Sequence, residues 1–79
     1  MLFSYTAMGQ VIRSLRKQKG LTQEVLSGLA GVARTHLTMI ENGSIHANME
    51  TIWKIAQALE LRPSDFLAYV EKEIERNAD

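Results

Sequence analysis

The chain contains no cysteine, so thiolate nucleophiles, disulfides and thiolate-bound metals are all excluded. Its two histidines, His36 and His46, stand ten residues apart, a poor beginning for a zinc site. Serine, threonine and glutamate are scattered over positions that helix caps and solvated faces already explain. No acid, base and nucleophile fall together as an enzyme would need. What remains is the chemistry of recognition. Arg34, Thr35, His36 and Thr38 supply hydrogen-bond donors and acceptors, and the apolar Leu37 and Ile40 interleaved with them can anchor them.

These polar residues must be carried by helices, because the dominant apolar period is helical. Met8, Val11, Ile12 and Leu15 recur at spacings of three and four and put one stripe on a first helix that Gly20 ends. Thr22 is a good N-cap for a second helix, with Glu24 in its first turn where the helix dipole favours an anion. Val25, Leu26, Leu29 and Ala30 form its expected apolar face, and Gly31 stops it. A third helix is predicted from about Arg34 to Asn42, closed by Asn42-Gly43. Asn48 can cap a fourth, with the stripe Met49, Ile52, Ile55, Ala56 and Leu59. The single proline, Pro63, suits the first position of a fifth, followed by Phe66, Leu67, Val70 and Ile74. No alternating run of strand length occurs, so the fold class is all-α.

With 79 residues the chain has room for one domain, and a domain so small buries only about 60% of its unfolded surface. That leaves no space for a deep substrate cavity. The expected organisation is a single domain over 1–79: an apolar leader at 1–8, a helical core pattern over about 9–67, and the end of the fifth helix with a charged tail over 68–79. Residues 1–8 lack the basic start and long apolar run of a signal peptide. No stretch approaches the ~20 apolar residues of a membrane span. The expected location is the cytoplasm. The chain is 46% hydrophobic and 23% charged, and its formal net charge is zero. Neutrality taken alone argues against nucleic acid, whose binding domains are usually basic.

The stretch LTQEVLSGLAGVARTHLTMIENG, Leu21 to Gly43, places two short helices around Gly31 with too few linking residues for an antiparallel hairpin. The second must leave steeply across the first, as in a helix-turn-helix. The run IRSLRKQKGLTQEVLSGLAGVARTHLTMIENG, followed by METIWKIAQALELRPSDFL, resembles the DNA-binding domain of phage lambda repressor and Cro, the xenobiotic-response-element group of bacterial regulators. The resemblance covers about Gly9 to Leu67. It rests on LRxxxGLTQExL, a glycine at the inter-helix turn, IExG closing the third helix and ETIxKIAxAL in the fourth. Within that group, the chain length, the apolar leader, the RTHLTMIE segment and the acidic fifth helix are similar to restriction–modification controller proteins.

The resemblance implies a compact five-helix domain that binds double-stranded DNA through the major groove and regulates transcription, with no enzymatic activity. It implies DNA contacts from Gln23, Ala33, Arg34, Thr35, His36, Thr38, Met39 and Ser44. Gln23 corresponds to a residue that reaches a phosphate and buttresses the third helix. Arg34, Thr35 and Met39 correspond to positions facing base edges, where a guanidinium can donate two bonds to guanine. Arg16 and Glu41 match a pair that ties the first helix to the end of the third. The chain also departs from the family pattern. Ala33 stands where a capping side chain is usual, Gly28 interrupts the second helix, Ala47 replaces a proline, and Ser44, Ile45 and His46 replace a more basic loop.

One short recognition helix gives too little contact for site-specific binding at physiological salt. A homodimer on a pseudo-palindromic operator is therefore expected, with Trp53, Leu61, Arg62, Phe66, Tyr69 and Val70 as its interface. The implied partners are a DNA operator, a second copy of the chain and any RNA polymerase contact, with no cofactor, metal or membrane. The alternative is a protein-interaction module of the same fold, such as an antitoxin or anti-regulator. The distribution of charge bears on the choice. Residues 1–40 carry five cations against Glu24 alone, a net of +4, and residues 41–79 carry four cations against eight acids, a net of −4. The neutral total thus hides a basic half and an acidic half, an arrangement that would orient the basic half toward DNA.

Overall fold

The computed structural model describes residues 1–78, and its elements are five α-helices: α1 (Tyr5–Gln18), α2 (Gln23–Ala30), α3 (Arg34–Glu41), α4 (Met49–Ala58) and α5 (Pro63–Asn77). No strand occurs among the described residues. Three helices open on a side-chain cap. Ser4, Thr22 and Asn48 accept from the backbone N–H groups of Ala7, Val25 and Thr51 at 3.0, 3.1 and 2.8 Å. Pro63 occupies the first turn of α5, where its missing N–H costs nothing.

The first four helices close alike, with the N–H that follows a left-handed residue turned back to a carbonyl near the helix end. These bonds are Leu21 to Arg16, Val32 to Ser27, Ser44 to Met39 and Leu61 to Ala56, all 2.9–3.0 Å. The motif needs one residue in the left-handed region. Gly20, Gly31 and Gly43 fill it in three helices, and Glu60, at φ 61°, fills it in the fourth. The Glu60 carboxylate lies 3.5 Å from the Lys19 ammonium.

The fully buried side chains are Ile12, Leu26, Leu37, Ile40, Ile55, Leu59 and Phe66, each worth about 1.5–3 kcal/mol relative to exposure. α1 packs on α3 and α5, α2 on α3 and α4, and α4 on α5, so the principal packings form a closed ring. Gly9 sets the approach of α1 to the end of α3. A Cβ built there would stand 2.5 Å from the carbonyl oxygens of Ile40 and Glu41, so only glycine lets α1 cross the end of α3 at this separation.

Several expectations need correction. α1 begins at Tyr5, so half of the supposed leader is helical. Ala7 and Met8 lie on the same stripe as Val11 and Ile12 and are buried with them. Val25 and Leu29 are exposed, because Ser27 takes the inward position beside Leu26 and Ala30 and satisfies its hydroxyl on the Glu24 carbonyl at 3.0 Å. Met49 is exposed too, since the first turn of α4 extends past the core. Phe66 and Val70, expected at a dimer interface, are core residues. The charged tail is helical through Asn77, with Arg76 clasping Glu73 at 2.7 and 3.1 Å. That hydrogen-bonded guanidinium holds the Glu73 carboxyl below its usual value. Asp79, the end of the tail, lies outside the described residues.

Gly28 is exposed, has a helical backbone and has open space where a Cβ would sit. Gly28→Ala is therefore expected to stabilise the chain by about 0.5–1 kcal/mol, whereas Gly9→Ala should destabilise it by about 1–3 kcal/mol through overlap with the α3 carbonyls. Urea unfolding of both variants beside the parent checks the opposite signs.

Candidate nucleic-acid interface

Only Gly31, Val32 and Ala33 separate α2 from α3. Gly31, at φ 71°, turns the chain through a conformation that a side chain would oppose. α3 then opens without a cap, for Ala33 has no side-chain oxygen, and its first backbone bond is Leu37 N–H to the Ala33 carbonyl at 3.0 Å. The amides of Arg34, Thr35 and His36 thus enter no helix hydrogen bond, at the electropositive end of the helix dipole.

Leu37 and Ile40 fix α3 in the core, which turns Arg34, Thr35 and Met39 outward. Arg34, Thr35, Thr38 and Met39 follow at i, i+1, i+4 and i+5, one continuous face of the helix. Ala33 and Ser44 are exposed at its two ends, and the Ser44 hydroxyl donates to the Met39 carbonyl at 3.1 Å. His36 is half-buried at the edge of that face. His46 is occupied elsewhere. Its ring stacks on Tyr5 with centroids 3.9 Å apart and planes 5° from parallel, and Phe3 meets the same tyrosine edge-on at 4.7 Å. No group of three or more potential metal ligands occurs among the described residues.

Behind this face lies a connected polar network. Arg16 of α1 donates from Nε to Glu41 Oε2 at 2.7 Å and from Nη2 to Glu41 Oε1 at 3.0 Å, and its Nη1 donates to the Leu21 carbonyl at 2.9 Å. The two side chains are only 9% and 1% exposed. Gln23, at the start of α2, donates from Nε2 to Glu41 Oε1 at 3.0 Å. Its Oε1 lies 2.8 Å from the Thr38 hydroxyl, whose single proton is shared with the Arg34 carbonyl at 3.0 Å. The carboxylate can only accept, so the Gln23 amide nitrogen must face it and the amide oxygen must face Thr38. One amide proton of Gln23 stays outside these bonds. Four segments are thereby held in fixed relation: α1, the loop after it, the start of α2, and two points on α3. No buried side-chain nitrogen or oxygen lacks a partner among the described residues.

The electrostatics refine the charge reading. Arg16 and Glu41 lie on opposite sides of the division at residue 40 and neutralise each other, leaving +3 and −3. The cations of the basic half lie mostly on α1 (Arg13, Lys17) and just past it (Lys19). The α2–α3 pair itself carries the cation Arg34 and the exposed acid Glu24. Among the described residues, Arg13, Lys17 and Arg34 have no carboxylate within 4.0 Å.

Sequence reading did not foresee the Thr38–Gln23 bond, the Tyr5–His46 stack or the Gly9 crossing, each of which joins residues far apart in the chain. Removing one partner of the buried pair, as in Arg16→Met or Glu41→Leu, should cost about 3–5 kcal/mol by stranding the other charge. The double variant should cost less than the sum of the two. Equilibrium denaturation of all four chains measures that coupling.

Comparison with known proteins agrees with this geometry. A helix-turn-helix family model, HTH_3, matches residues 12–66. The control protein C.BamHI of Bacillus amyloliquefaciens is 34% identical over 62 residues, covering 77% of this chain and 76% of that protein. The antitoxin HipB of Escherichia coli K12 is 30% identical over 60 residues, 76% of this chain and 68% of that one. Among solved structures, the restriction–modification controller protein C.Esp1396I, as a tetramer with its natural 35 base-pair operator, superposes with a TM-score of 0.85. It is 30% identical and covers 94% of this chain and 97% of that one. The match spans most of the chain in sequence and in fold: it is a member of the HTH_3 helix-turn-helix family, the Cro/C1-like group of DNA-binding transcriptional regulators.

Proposed function

We propose that this chain regulates transcription by binding a specific double-stranded operator as a homodimer, with α3 of each copy in the major groove. The observation that carries the reading is the outward face Arg34–Thr35–Thr38–Met39, braced from behind by the Gln23–Glu41–Arg16 network. Arg34 reads a base, its planar fork matching guanine O6 and N7. Thr35 offers a methyl to thymine or a hydroxyl to a base or phosphate, and Met39 makes apolar contact. The free amide proton of Gln23 and the uncapped amides of Ala33's neighbours take phosphate oxygens. Ser44, Thr38 and His36 border the contact, and Arg13, Lys17 and Lys19 on and after α1 supply the long-range attraction.

Two copies about a twofold axis would set their α3 helices about 34 Å apart, one turn of DNA. The outer surface of α4 and α5 provides the contact between copies. Trp53, Arg62 and Tyr69 are exposed there and Leu61 is half-buried, while Phe66 and Val70 support it from beneath. A role as a restriction–modification controller is supported by the similarity to C.BamHI and C.Esp1396I. Such a regulator works in the cytoplasm, where its DNA is. Likeness to HipB supports a second reading, in which the chain is instead a protein-interaction module of the same fold, such as an antitoxin or anti-regulator. Capture of a stoichiometric protein from the native cell, with no operator found, would favour it.

Selection from a randomised DNA pool at two salt concentrations tests the leading reading. The expected result is an enriched palindromic site whose affinity falls steeply with salt. Absence of both enrichment and salt dependence would refute it. Arg34→Ala should relax preference at one base position per half-site, a loss of about 1–3 kcal/mol there, while Gln23→Ala should weaken all sites alike.

A further inference from the structure

Among the large apolar side chains that stand in solvent, five lie near one another: Leu2 is 89% exposed, Phe3 53%, Met49 58%, Trp53 49% and Leu67 36%. Four of them line one continuous surface and Leu2 adjoins it in the chain. A shallow groove between the segment before α1 and α4–α5 is lined by Phe3, Met49, Ile52 and Leu67 and holds no charged residue. A second groove continues it, sharing Met49, Ile52 and Leu67 and adding Trp53 and Pro63, with Arg62 its one charged residue. The groove between α1 and α5 is of another kind, carrying Lys72, Glu73 and Arg76.

The area of this surface decides what it can hold. From those exposures, Met49, Trp53 and Leu67 together offer apolar side-chain area on the order of 300 Å², which a monomer can leave bare. Stable protein pairs bury about 600–1,000 Å² on each side. Those three side chains alone therefore fall short, and Leu2 with Phe3 roughly doubles their area. A surface so nearly free of charge can also meet its own copy about a twofold axis without opposing like charges, Arg62 excepted.

We infer that the segment ahead of α1 is a docking element for a second copy of this chain. Leu2 and Phe3 of one copy cover the Met49–Trp53–Leu67 surface of the other, and reciprocally. The inference rests on the homodimer reading and adds the segment ahead of α1 to the α4–α5 contact. It also gives a role to the exposed leader, which lies outside the DNA-facing side chains of α3.

Sedimentation equilibrium of the full chain, its Leu2→Ser/Phe3→Ser variant and its Trp53→Ser variant tests the inference, with circular dichroism verifying helicity. The leader variant should dimerise roughly tenfold or more weakly than the parent at unchanged helicity. Its tryptophan emission, from the chain's one tryptophan, should stay red-shifted at concentrations where the parent's has moved to the blue. A mixture of Leu2→Cys and Leu67→Cys chains, in a protein with no other cysteine, should form a mixed disulfide under mild oxidation. A leader variant that dimerises like the parent, while Trp53→Ser does not, overturns the inference and leaves the homodimer standing. A parent that stays monomeric, both free and on DNA, overturns both.

Discussion

The position of α3 depends on the buried contact between Arg16 and Glu41. Taking both charges out of water is costly, and it succeeds here because the geometry is bidentate and the remaining groups are occupied by the Leu21 carbonyl and the Gln23 amide. Hydrophobic packing by Leu37 and Ile40 holds α3 against the core, but it is tolerant of small slides and rotations. A forked guanidinium on a carboxylate is not tolerant. The ion pair therefore contributes orientation where the apolar contacts contribute most of the binding of helix to core. Gly9 serves the same end by a different means, since it lets the α1 backbone approach the α3 carbonyls directly.

Gln23 links that scaffold to recognition. Its amide is oriented by an acceptor on one side and a hydroxyl donor on the other, so the proton left over points in a set direction before any DNA arrives. Preorganisation of this kind lowers the ordering cost of a contact. Arg34, by contrast, is a long exposed side chain with no ion-pair partner among the described residues. Under the proposed function it would be ordered by the base it binds, with phosphate positioning falling to the fixed Gln23 and base discrimination to the adaptable Arg34.

Much of this fold was legible because its signals are local. The three–four spacing of Met8, Val11, Ile12 and Leu15, the caps at Thr22 and Asn48, and Pro63 at a helix start each act within one turn of chain. Errors arose where phase or partners were non-local. Val25 and Leu29 look inward by composition, but Ser27 can be buried once its hydroxyl finds the Glu24 carbonyl, and the helix turns accordingly. Phe66 and Val70 are core residues, whereas Leu67, one step around α5, is the side chain left outside. The end of α4 lacks the usual glycine signal because Glu60 occupies the left-handed position. In the candidate site, the Arg16–Glu41 contact was legible only by resemblance to a family. The Thr38–Gln23 bond and the stacking of His46 on Tyr5 join residues 15 and 41 positions apart, and no local pattern records them.

The ring of helix packings, α1 to α3 to α2 to α4 to α5 and back to α1, has a consequence for how the molecule comes apart. A row of helices can fray from either end, because the outermost member has one neighbour. A ring has no outermost member, so releasing any helix breaks two packings at once, and the first and last helices guard each other. Partial opening therefore has few inexpensive routes, and unfolding approaches a single cooperative event even in so short a chain. In the proposed complex, where one rigid helix would enter a groove of fixed width, this all-or-none character would keep frayed, half-ordered forms scarce without requiring a large core.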